Sequence, residues 1–327
     1  MTVPSARPAD RSGDAVETTT TSATEAWRAE RGRLLGIAYR MLGDFGEAED
    51  VVSEVAIEAI RCEQGDADSV RSWPKWLTTV CVRRSIDRVR RLAASREDYP
   101  GPWMPEPISA EVLPDDAVAN GELLSLALLH VSEQLRPEAR AALILHRAFE
   151  LTAPEIGVIL DRSAAAVRQL ISRAERRLRE TGHLAETGVG PQDSVPVQSS
   201  ARLQDNARLQ AISRLGAAIA DGDLERVVDL LAPGAVLWTD GGGKVRSALN
   251  PVFGAERVGR FFTGIRRKSH RLHPEVPFRL SEAQLVAETG LRLHHYGRSD
   301  LIAVEFRADG RIAEIRLISN PDKLARL

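Results

Sequence analysis

The sequence is poor in cysteine and contains no apolar run that could cross a membrane. Two cysteines, Cys62 and Cys81, in 327 residues exclude a disulfide framework, and their spacing does not match a zinc site. A membrane-spanning helix needs about 20 consecutive apolar residues, and the N-terminus lacks the basic-then-apolar order of a signal peptide. We therefore expect a cytoplasmic protein with no membrane partner, no bound metal and no cofactor.

The sequence also lacks an excess of charge of either sign. It has 44 Lys and Arg against 46 Asp and Glu, for a net charge of −2, so a surface for nucleic acid must be a local basic patch rather than a global field. The length allows two or three domains, each with its own core. Residues 1–24 hold few large apolar side chains and are predicted to be disordered.

The segment from Leu151 to Leu178 has the pattern of a helix-turn-helix. Thr152 and Glu155 predict a capping box that opens a short helix, and Gly157 allows close helix packing. Asp161-Arg162-Ser163 predicts the turn, with Ser163 as the N-cap of the second helix. The buried stripe of that second helix is predicted to contain Val167, Leu170, Ile171, Ala174 and Leu178.

Polar and basic side chains are left on the outer face of this motif. They are Arg162, Ser163, Arg168, Gln169, Ser172 and Arg173. A recognition helix needs this chemistry, because its early side chains meet base edges and its arginines meet guanine or phosphate. The alternative interpretation is an ordinary amphipathic helix pair. The motif makes DNA the first partner to consider.

Upstream, the sequence predicts a helix with an acidic stripe. At about 100° per residue, one narrow sector holds four carboxylates, while Val51, Val55 and Ala59 point towards a core. The four are Glu47, Asp50, Glu54 and Glu58. Like charges four residues apart repel slightly, so the stripe would gain from a basic partner. A solvated helix face is the alternative.

The following helix, from Trp73 to about Arg91, places aromatic side chains and then arginines along one ribbon. Aromatic rings can stack on splayed bases, and arginines can track a phosphate backbone. Alternatively, Trp73, Trp76 and Leu77 pack in the core of this domain. The ribbon suits opened DNA under the first interpretation and is largely structural under the second.

Composition divides the chain into three domains and two linkers. A helical domain at 25–98 is followed by a proline-rich linker at 99–115, where prolines exclude a continuous helix. A second helical domain spans 116–182, and a polar linker at 183–206 leads to a mixed block at 207–327. In that block we predict helices at 207–220 and 224–231 and strands at 235–238, 285–287, 301–306 and 312–317. The expected fold is therefore multidomain: two all-α domains and a C-terminal α+β domain.

The order of these motifs resembles the extracytoplasmic-function group of bacterial sigma factors. The strongest parts are A-Y-R-M-L-G with A-E-D-V-V-S-E, the W-P-K-W-L helix, and the block L-T-x-x-E-I-x-x-I-L…A-V-R-Q-L-I-S-R-A. The resemblance covers about 31–179. It departs at Ser53, where the family often has glutamine, and at Ser85, where it often has asparagine. It implies a protein that directs promoter recognition and transcription initiation without catalysing a reaction itself.

The resemblance also assigns partners to the three surfaces. The acidic stripe would bind the β′ clamp helices of core RNA polymerase, and the second helical domain would bind the β flap and read the −35 element through Arg162 to Arg173. The region from Arg71 to Arg91 would bind the −10 element of promoter DNA. The −10 contacts would come from Trp73, Arg83, Arg84, Asp87, Arg88 and Arg91.

A sharper resemblance comes from the linker, whose W-M-P-E-P at 103–107 is similar to the W-L-P-E-P of a subgroup with a fused C-terminal SnoaL-like domain. The subgroup's D-G-G-G-K and N-P-D-K-L motifs are also present, at 240–244 and 320–324. The resemblance implies a cone of helices against a curved sheet that regulates the sigma factor by docking on the linker. The interdomain residues would be Trp103, Pro105, Glu106, Pro107, Asp240, Gly241, Gly242, Gly243, Lys244, Asn320, Pro321, Asp322, Lys323 and Leu324.

Other interpretations of the C-terminal block stay open at this point. The three glycines could simply form a hairpin turn, and no G-K-[ST] follows them as a phosphate loop requires. SnoaL-like domains often hold enzymes or small-ligand pockets, so the block could be a ligand sensor or a tethered enzyme, with Asp240, His294 and His295 as candidate acid–base residues. The histidines match no metal spacing. For the whole protein, the third interpretation is a conventional activator that binds DNA without polymerase.

Overall fold

A computed structural model describes residues 22–66, 69–109, 111–112, 124–180 and 198–327 of the chain. The expected disordered segment lies outside these residues up to position 21, but the first helix begins at Ala23, inside that segment. Ser22 caps it in a reciprocal capping box with Glu25, which satisfies two free backbone N–H groups at the helix start. The expected start of the second helical domain and most of the second linker also lie outside the described residues.

The N-terminal helical domain is built from three helices. They are α1 (Ala23–Leu42), α2 (Phe45–Asp66) and α3 (Trp73–Glu97). Their buried faces share one core, with Leu34, Val51 and Leu77 fully buried. Alternating apolar positions three and four residues apart give each helix the stripe that this packing requires.

The second helical domain contains four described helices. They are α4 (Leu126–Ser132), α5 (Pro137–Arg147), α6 (Ala153–Leu160) and α7 (Ala164–Glu180). Residues of α5, α6 and α7, including Ile144, Ile156 and Val167, belong to the same hydrophobic cluster as the core of the first domain. The two helical domains are therefore docked on each other in this structure.

The C-terminal domain is an α+β unit, as the sequence predicts. Its described elements are α8 (Gln198–Asp221), α9 (Leu224–Leu230), β1 (Leu231–Asp240), β2 (Val252–Phe253), α10 (Ala255–Leu272), β3 (Arg279–Gln284), β4 (Thr289–His295), β5 (Arg298–Phe306) and β6 (Ile312–Ile318). Helix α8 begins before the expected domain boundary at 207. Among the described residues, the strands form a six-stranded sheet in the order β2-β1-β6-β5-β4-β3.

The two faces of this sheet pack against different parts of the molecule. On one face, Leu237, Leu293 and Ile302 pack with residues of α8, α9 and α10. On the other face, Leu301, Ala303 and Ile318 pack with Met104 of the linker and Leu126 of α4. Because strand side chains alternate between faces, the sheet holds its own helices on one side and the linker on the other.

One predicted strand of this domain is wrong, and three described strands and a helix were missed. Residues 285–287 form a bend between β3 and β4, because Leu285 makes an isolated bridge with Ser109 and the Val286 N–H donates to the carbonyl of Ile108. These apolar residues pack against the linker instead of entering the sheet. The predicted elements did not include β2, β3, β4 or α10. Among the described residues, no helix is both long and apolar enough to span a bilayer.

Candidate nucleic-acid and interdomain sites

The helix-turn-helix predicted at 151–178 is formed by α6 and α7. The capping box of Thr152 and Glu155 is present, and the Ser163 side chain accepts the N–H of Ala166 at 3.2 Å as the cap of α7. A Cβ on Gly157 would lie 2.6 Å from the carbonyl oxygen of Arg162. The turn between the helices therefore depends on glycine at this position, as the spacing predicts.

The predicted outer face of the helix-turn-helix is exposed. Arg162, Ser163, Arg168, Gln169, Ser172 and Arg173 are all exposed, whereas Val167, Ile171, Ala174 and Leu178 are buried. Leu170 is half-buried. The structure thus presents arginine and amide donors on one free helix face, which is the arrangement that major-groove contact needs.

The acidic stripe of α2 is present, but arginines of α3 already pair with it. Arg84 donates to the Glu58 carboxylate at 2.6 Å, and Arg88 donates to both Glu47 and Glu54, the latter at 2.7 Å. Asp50 lies 3.9 Å from Arg88 and keeps an exposed side chain. The acidic stripe of α2, expected to face polymerase, and the arginines of α3, expected to face DNA, are therefore in contact with each other.

Burial and charge distinguish the two paired arginines. Arg88 has 11% of its side chain exposed and Arg84 has 46%. Burial acts to lower the pKa of Arg88, but Glu47, Glu54 and Asp50 outweigh it, so the pKa lies above its ordinary value. The hydrogen bond from Arg84 to Glu58 raises the pKa of Arg84. Arg88 is thus held between carboxylates inside the domain.

The remaining −10 candidates divide into buried and exposed residues. Trp73 is 8% exposed and packs edge-on against Trp76, so in this structure it is a core residue rather than an exposed stacking platform. Arg83, Asp87 and Arg91 are exposed, and the Arg83 guanidinium donates to the carbonyl of Ile159 at 3.2 Å. Arg83 therefore contacts the second helical domain.

The two departures from the family pattern also lie in different environments. Ser85 is fully buried and its hydroxyl donates to the carbonyl of Cys81, so it packs inside the domain. Ser53 is exposed, and its hydroxyl donates to the Glu49 carbonyl one turn earlier in α2.

Asp240 is the centre of the contact between the linker and the C-terminal domain. Its carboxylate is fully buried. It accepts hydrogen bonds from the Tyr99 hydroxyl at 2.6 Å, the Met104 N–H at 3.0 Å and the Gly242 N–H at 3.0 Å. The Oδ2 atom, which accepts the Met104 N–H, also pairs with Lys323 at 2.7 Å. One side chain therefore joins the linker to both predicted C-terminal motifs.

Lys323 connects the same site to the aromatic residues of the linker. Its ammonium donates to the Met104 carbonyl and lies 4.1 Å from the centre of the Trp103 ring. The Arg96 guanidinium lies 3.5 Å from the same ring centre, so two cations contact Trp103. Burial lowers the pKa of Lys323, and the charge of Asp240 opposes that shift.

Glu106 joins the linker to the first helical domain. It is 3% exposed, and its carboxylate accepts the Phe45 N–H at 2.7 Å and pairs with Arg326 at 2.9 Å. The Tyr39 hydroxyl donates to the Glu106 carbonyl. Burial raises the pKa of Glu106, and its hydrogen bonds partly offset the shift. Pro105 and Pro107, which flank it, are buried as well.

The glycine motif after β1 is a turn that needs its glycines for close approach. Gly242 and Gly243 have φ of 59° and 71°, and side chains there would meet Asn320 and Pro100. A Cβ on Gly241 would lie 2.1 Å from the carbonyl oxygen of Val245. The turn is not a tight hairpin, because the next strand, β2, begins at Val252.

The two C-terminal motifs contact each other beyond this turn. Lys244 pairs with Asp322 at 2.6 Å on the surface. Asn320 precedes a 3₁₀ turn, Pro321–Lys323, and its side chain accepts the Asp322 N–H. Leu324 packs on the sheet face that carries the linker. The fourteen residues predicted as interdomain therefore lie around one contact region, which the sequence could not locate in space.

Several residues of this contact were not predicted. Among them are Tyr99, Arg96 and Arg326, which contact Asp240, Trp103 and Glu106 respectively. Tyr99 is the first residue of the proline-rich linker, and this position could have indicated a role in the linker contact. Nothing in spacing indicated Arg326, which lies 220 residues from Glu106.

The histidines of the C-terminal domain are engaged with neighbouring side chains. His295 pairs with the buried Asp300 at 2.7 Å, and His294 contacts Ser299 at 2.8 Å. Among the described residues, no group of three or more histidine, cysteine or acidic residues could hold a metal ion. Asp240 belongs to the linker contact, whereas His294 and His295 line a cleft whose lining does not include it.

Comparison with known proteins bears on these surfaces. Residues 26–95 match the family model for sigma-70 region 2, and residues 125–178 match that for sigma-70 region 4. The chain is 33% identical to the ECF RNA polymerase sigma factor SigJ of Mycobacterium tuberculosis, over 91% of each protein. The chain belongs to the extracytoplasmic-function family of RNA polymerase sigma factors. The sigma factor is also 31% identical to the probable ECF sigma factor SigI of that species, over 91% of this chain and 93% of the relative.

The three-domain architecture of this sigma factor is similar to a solved structure. The crystal structure of SigJ superposes with a TM-score of 0.68 at 29% identity, covering 92% of this chain and 97% of that one. The predicted fold class, two helical sigma domains and a C-terminal α+β domain, is therefore confirmed. As in other sigma factors, regions 2 and 4 imply core RNA polymerase and promoter DNA as partners.

Proposed function

We propose that this sigma factor contacts the β′ clamp helices through α2, binds the −10 element through α3 and the −35 element through α7, and is regulated by its own C-terminal domain. The observation that carries the regulatory part is the buried Asp240–Lys323 pair on the linker. Because polymerase and promoter DNA are in the cytoplasm, we expect the protein to act there.

The polymerase surface is best assigned to the exposed end of the acidic stripe. Asp50 has 73% of its side chain exposed, and Glu54 and Glu58 each have 37%. Since arginines already neutralise part of the stripe, a basic partner would compete most easily for Asp50. Asp50→Asn should weaken the binding of core polymerase, and Asp229→Asn, at an exposed position of α9, is a matched control.

The −10 surface is best assigned to Arg91 and Asp87 rather than to Arg88. Arg91 is exposed, whereas Arg88 is held by carboxylates of α2. Arg91→Gln should reduce promoter opening with little loss of stability, and Arg88→Gln should mainly destabilise region 2. Permanganate footprinting of the opened promoter, beside urea unfolding of each variant, distinguishes them. The assignment fails if Arg88→Gln leaves stability unchanged and abolishes opening.

The −35 surface is assigned to Arg168, Gln169 and Arg173 on α7. Each good bidentate contact with a base contributes roughly 1–3 kcal/mol of discrimination. Alanine at Arg168 or Arg173 should therefore relax promoter choice at single −35 positions, measured by competition between mutated promoters. We place the β flap contact in the same domain, because region 4 must be held by polymerase while it reads DNA.

The C-terminal domain is proposed to act as a clamp on the linker. Prolines make a linker costly to reorganise and easy to recognise, and here Met104, Pro105 and Glu106 are all buried. Holding the linker fixes the distance between the two DNA-binding domains. Transcription by core polymerase with the full chain, compared with a chain ending after Arg179, tests the clamp. Identical promoter activity from both proteins would eliminate it.

We propose no enzymatic turnover for the C-terminal domain. This is supported by the engagement of Asp240 with four donors on the linker side of the sheet. A small ligand would find space in a cleft of about 560 Å³ lined by His294, Arg298 and Ser299, among others. Binding of such a ligand would make the domain a sensor without requiring a reaction.

A further inference from the structure

The outer face of α10 carries a row of cations that no part of the function described above uses. At about 100° per residue, Arg257, Arg260, Arg267, Lys268 and Arg271 fall within a sector of about 100°. All five are exposed. Arg260 also pairs with Glu256 at 2.7 Å. We call these five residues the α10 basic face. The opposite face of the helix is buried through Val258, Phe262 and Ser269.

Four of the five cations have no ion-pair partner within the described part of the chain. Arg257, Arg267, Lys268 and Arg271 lie within 4 Å of no carboxylate there, and Arg271 lies close enough to Tyr296 to influence its pKa. The net charge of the whole chain is −2, so this face is a local concentration of positive charge. A chain without an overall basic field needs such a patch to bind a polyanion.

The stability of the helix itself does not account for this face. Cations are favourable in the last turn, where they complement the helix dipole, but Arg257 lies in the first turn, where a cation is unfavourable. Arg267 and Arg271 stand four residues apart, and like charges at that spacing repel by a few tenths of a kcal/mol. The arrangement therefore costs stability and gains from an anionic partner.

We propose that the α10 basic face binds the phosphate backbone of duplex DNA without reading its sequence. From Arg257 to Arg271 the face is about 21 Å long, at 1.5 Å per residue, which corresponds to about six phosphates of one strand at 3.4 Å each. Protein partners favour an apolar centre rimmed by charge, and this sector of α10 contains no apolar side chain, since its one further position, 264, is glycine. The other domains of this sigma factor bring duplex DNA to the same molecule.

The first test compares two variants of the full chain with equal charge loss. One replaces Arg257, Arg267, Lys268 and Arg271 by glutamine. The control replaces four exposed cations elsewhere in the C-terminal domain by glutamine: Arg208, Arg214, Arg307 and Arg311. The probe is a fluorescein-labelled duplex of about 30 base pairs of mixed sequence, with anisotropy measured from about 50 to 200 mM KCl.

The α10 variant should bind at least about tenfold more weakly than the control at low salt. Its slope of log affinity against log[KCl] should be shallower by about two to three, since each phosphate contact contributes about 0.9. Equal affinity and slope for both variants would overturn the proposal, as would no binding of the duplex by the native chain. Unchanged duplex binding with a selective loss of core polymerase binding would assign the face to a protein and would also overturn it.

A second measurement keeps all five cations. A side chain at Gly264 would meet no atom within 4 Å, so Gly264→Cys can carry an iron-EDTA cleavage reagent at the middle of the face. The background is Cys62→Ser, because Cys81 is buried. Localised cutting of the bound duplex is expected. Intact DNA under conditions where the labelled protein binds it would contradict the proposal.

Discussion

At the scale of single residues, Lys323 and Lys244 form the same kind of ion pair in two different environments. Lys323 and Asp240 have 7% and 0% of their side chains exposed, whereas Lys244 and Asp322 have 55% and 63%. Removing one partner of a buried pair costs about 3–5 kcal/mol, because a buried charge is left alone. An exposed pair contributes about 0–1 kcal/mol.

We therefore predict that Lys323→Met destabilises the full chain by about 3–5 kcal/mol, while Lys244→Met changes its stability by less than about 1 kcal/mol. Urea unfolding monitored by tryptophan fluorescence measures both, and Trp103, which Lys323 contacts, should report a local change. Equal losses for the two variants would show that the buried pair does not hold the linker.

The ion pairs between α2 and α3 could not be predicted from the sequence, although the charged residues that form them could. The four carboxylates of α2 and the arginines of α3 were each identified from helical spacing, because period 3.6 places them on definite faces. Their pairing was not, since Arg88 lies 41 residues from Glu47 and 34 from Glu54. Which face meets which depends on how the helices pack, and spacing along one helix does not contain that information.

At the scale of elements, replacing a helical glycine by alanine should have opposite effects on stability in α6 and in α10. In α6, a Cβ on Gly157 would lie 2.6 Å from a backbone carbonyl of the turn, whereas on Gly264 in α10 it would meet nothing within 4 Å. Gly157→Ala should force the two helices of the motif apart and destabilise region 4. Gly264→Ala should stabilise the protein by up to about 1 kcal/mol, because alanine is the better helix former.

Thermal unfolding and −35 promoter binding check this pair of variants. Gly157→Ala should lower both the melting temperature and the affinity for the −35 element. Full affinity in Gly157→Ala would mean that the turn can shift without cost, which contradicts the close packing of α6 and α7.

A second element-scale prediction concerns the start of α4. The Leu126 N–H donates to the carboxylate of Glu288, between β3 and β4, at 2.7 Å. Desolvation raises the pKa of Glu288 from 4.5 to about 7, against the effect of that hydrogen bond. Because the folded-state pKa is raised, the protonated form stabilises the fold at low pH, and that stability is lost as pH rises through about 7.

Stability of the native chain should therefore fall between about pH 4.5 and pH 7, by on the order of 1–3 kcal/mol. Glu288→Gln keeps an acceptor for Leu126 and removes the charge, so its profile should be flatter and it should be the more stable protein at pH 8. Urea unfolding at several pH values measures this, with Glu282→Gln on the exposed side of β3 as control. A native profile in Glu288→Gln would refute the assignment.

The elements that sequence patterns predicted well are those with a strong local signal. The helix-turn-helix has a capping box, a glycine and a regular apolar stripe, and each of these is present in the structure. Strands β3 and β4 lack that signal, because the pairing of β4 with β5 and of β3 with β4 gives them their stability rather than their own composition. Residues 285–287 have a strand-like composition, but the Val286 N–H donates its hydrogen bond to the linker carbonyl of Ile108 instead of to a neighbouring strand.

At the scale of the whole molecule, the docking of regions 2 and 4 is the feature with the largest functional consequence. Apolar residues of both regions share one core, and Arg90 pairs with Glu138 across the boundary at 2.5 Å. Promoter elements at −10 and −35 are separated by about 25 base pairs, or roughly 85 Å at 3.4 Å each. On the proposed assignment of α3 to the −10 element and α7 to the −35 element, two domains in direct contact cannot reach both elements at once, and we expect them to separate on the promoter.

We predict that this separation can be measured directly. Lys75 of α3 lies close enough to Glu155 of α6 to lower its pKa, and Val158 of α6 is 76% exposed. Spin labels on Lys75→Cys and Val158→Cys, in a Cys62→Ser background, should lie close together in the free protein, since packed helix axes are about 8–10 Å apart. In the promoter complex with polymerase the labels should move more than about 50 Å apart. An unchanged distance in that complex would mean that the docked arrangement is the one that binds DNA, and the clamp would then hold regions 2 and 4 together rather than set their spacing.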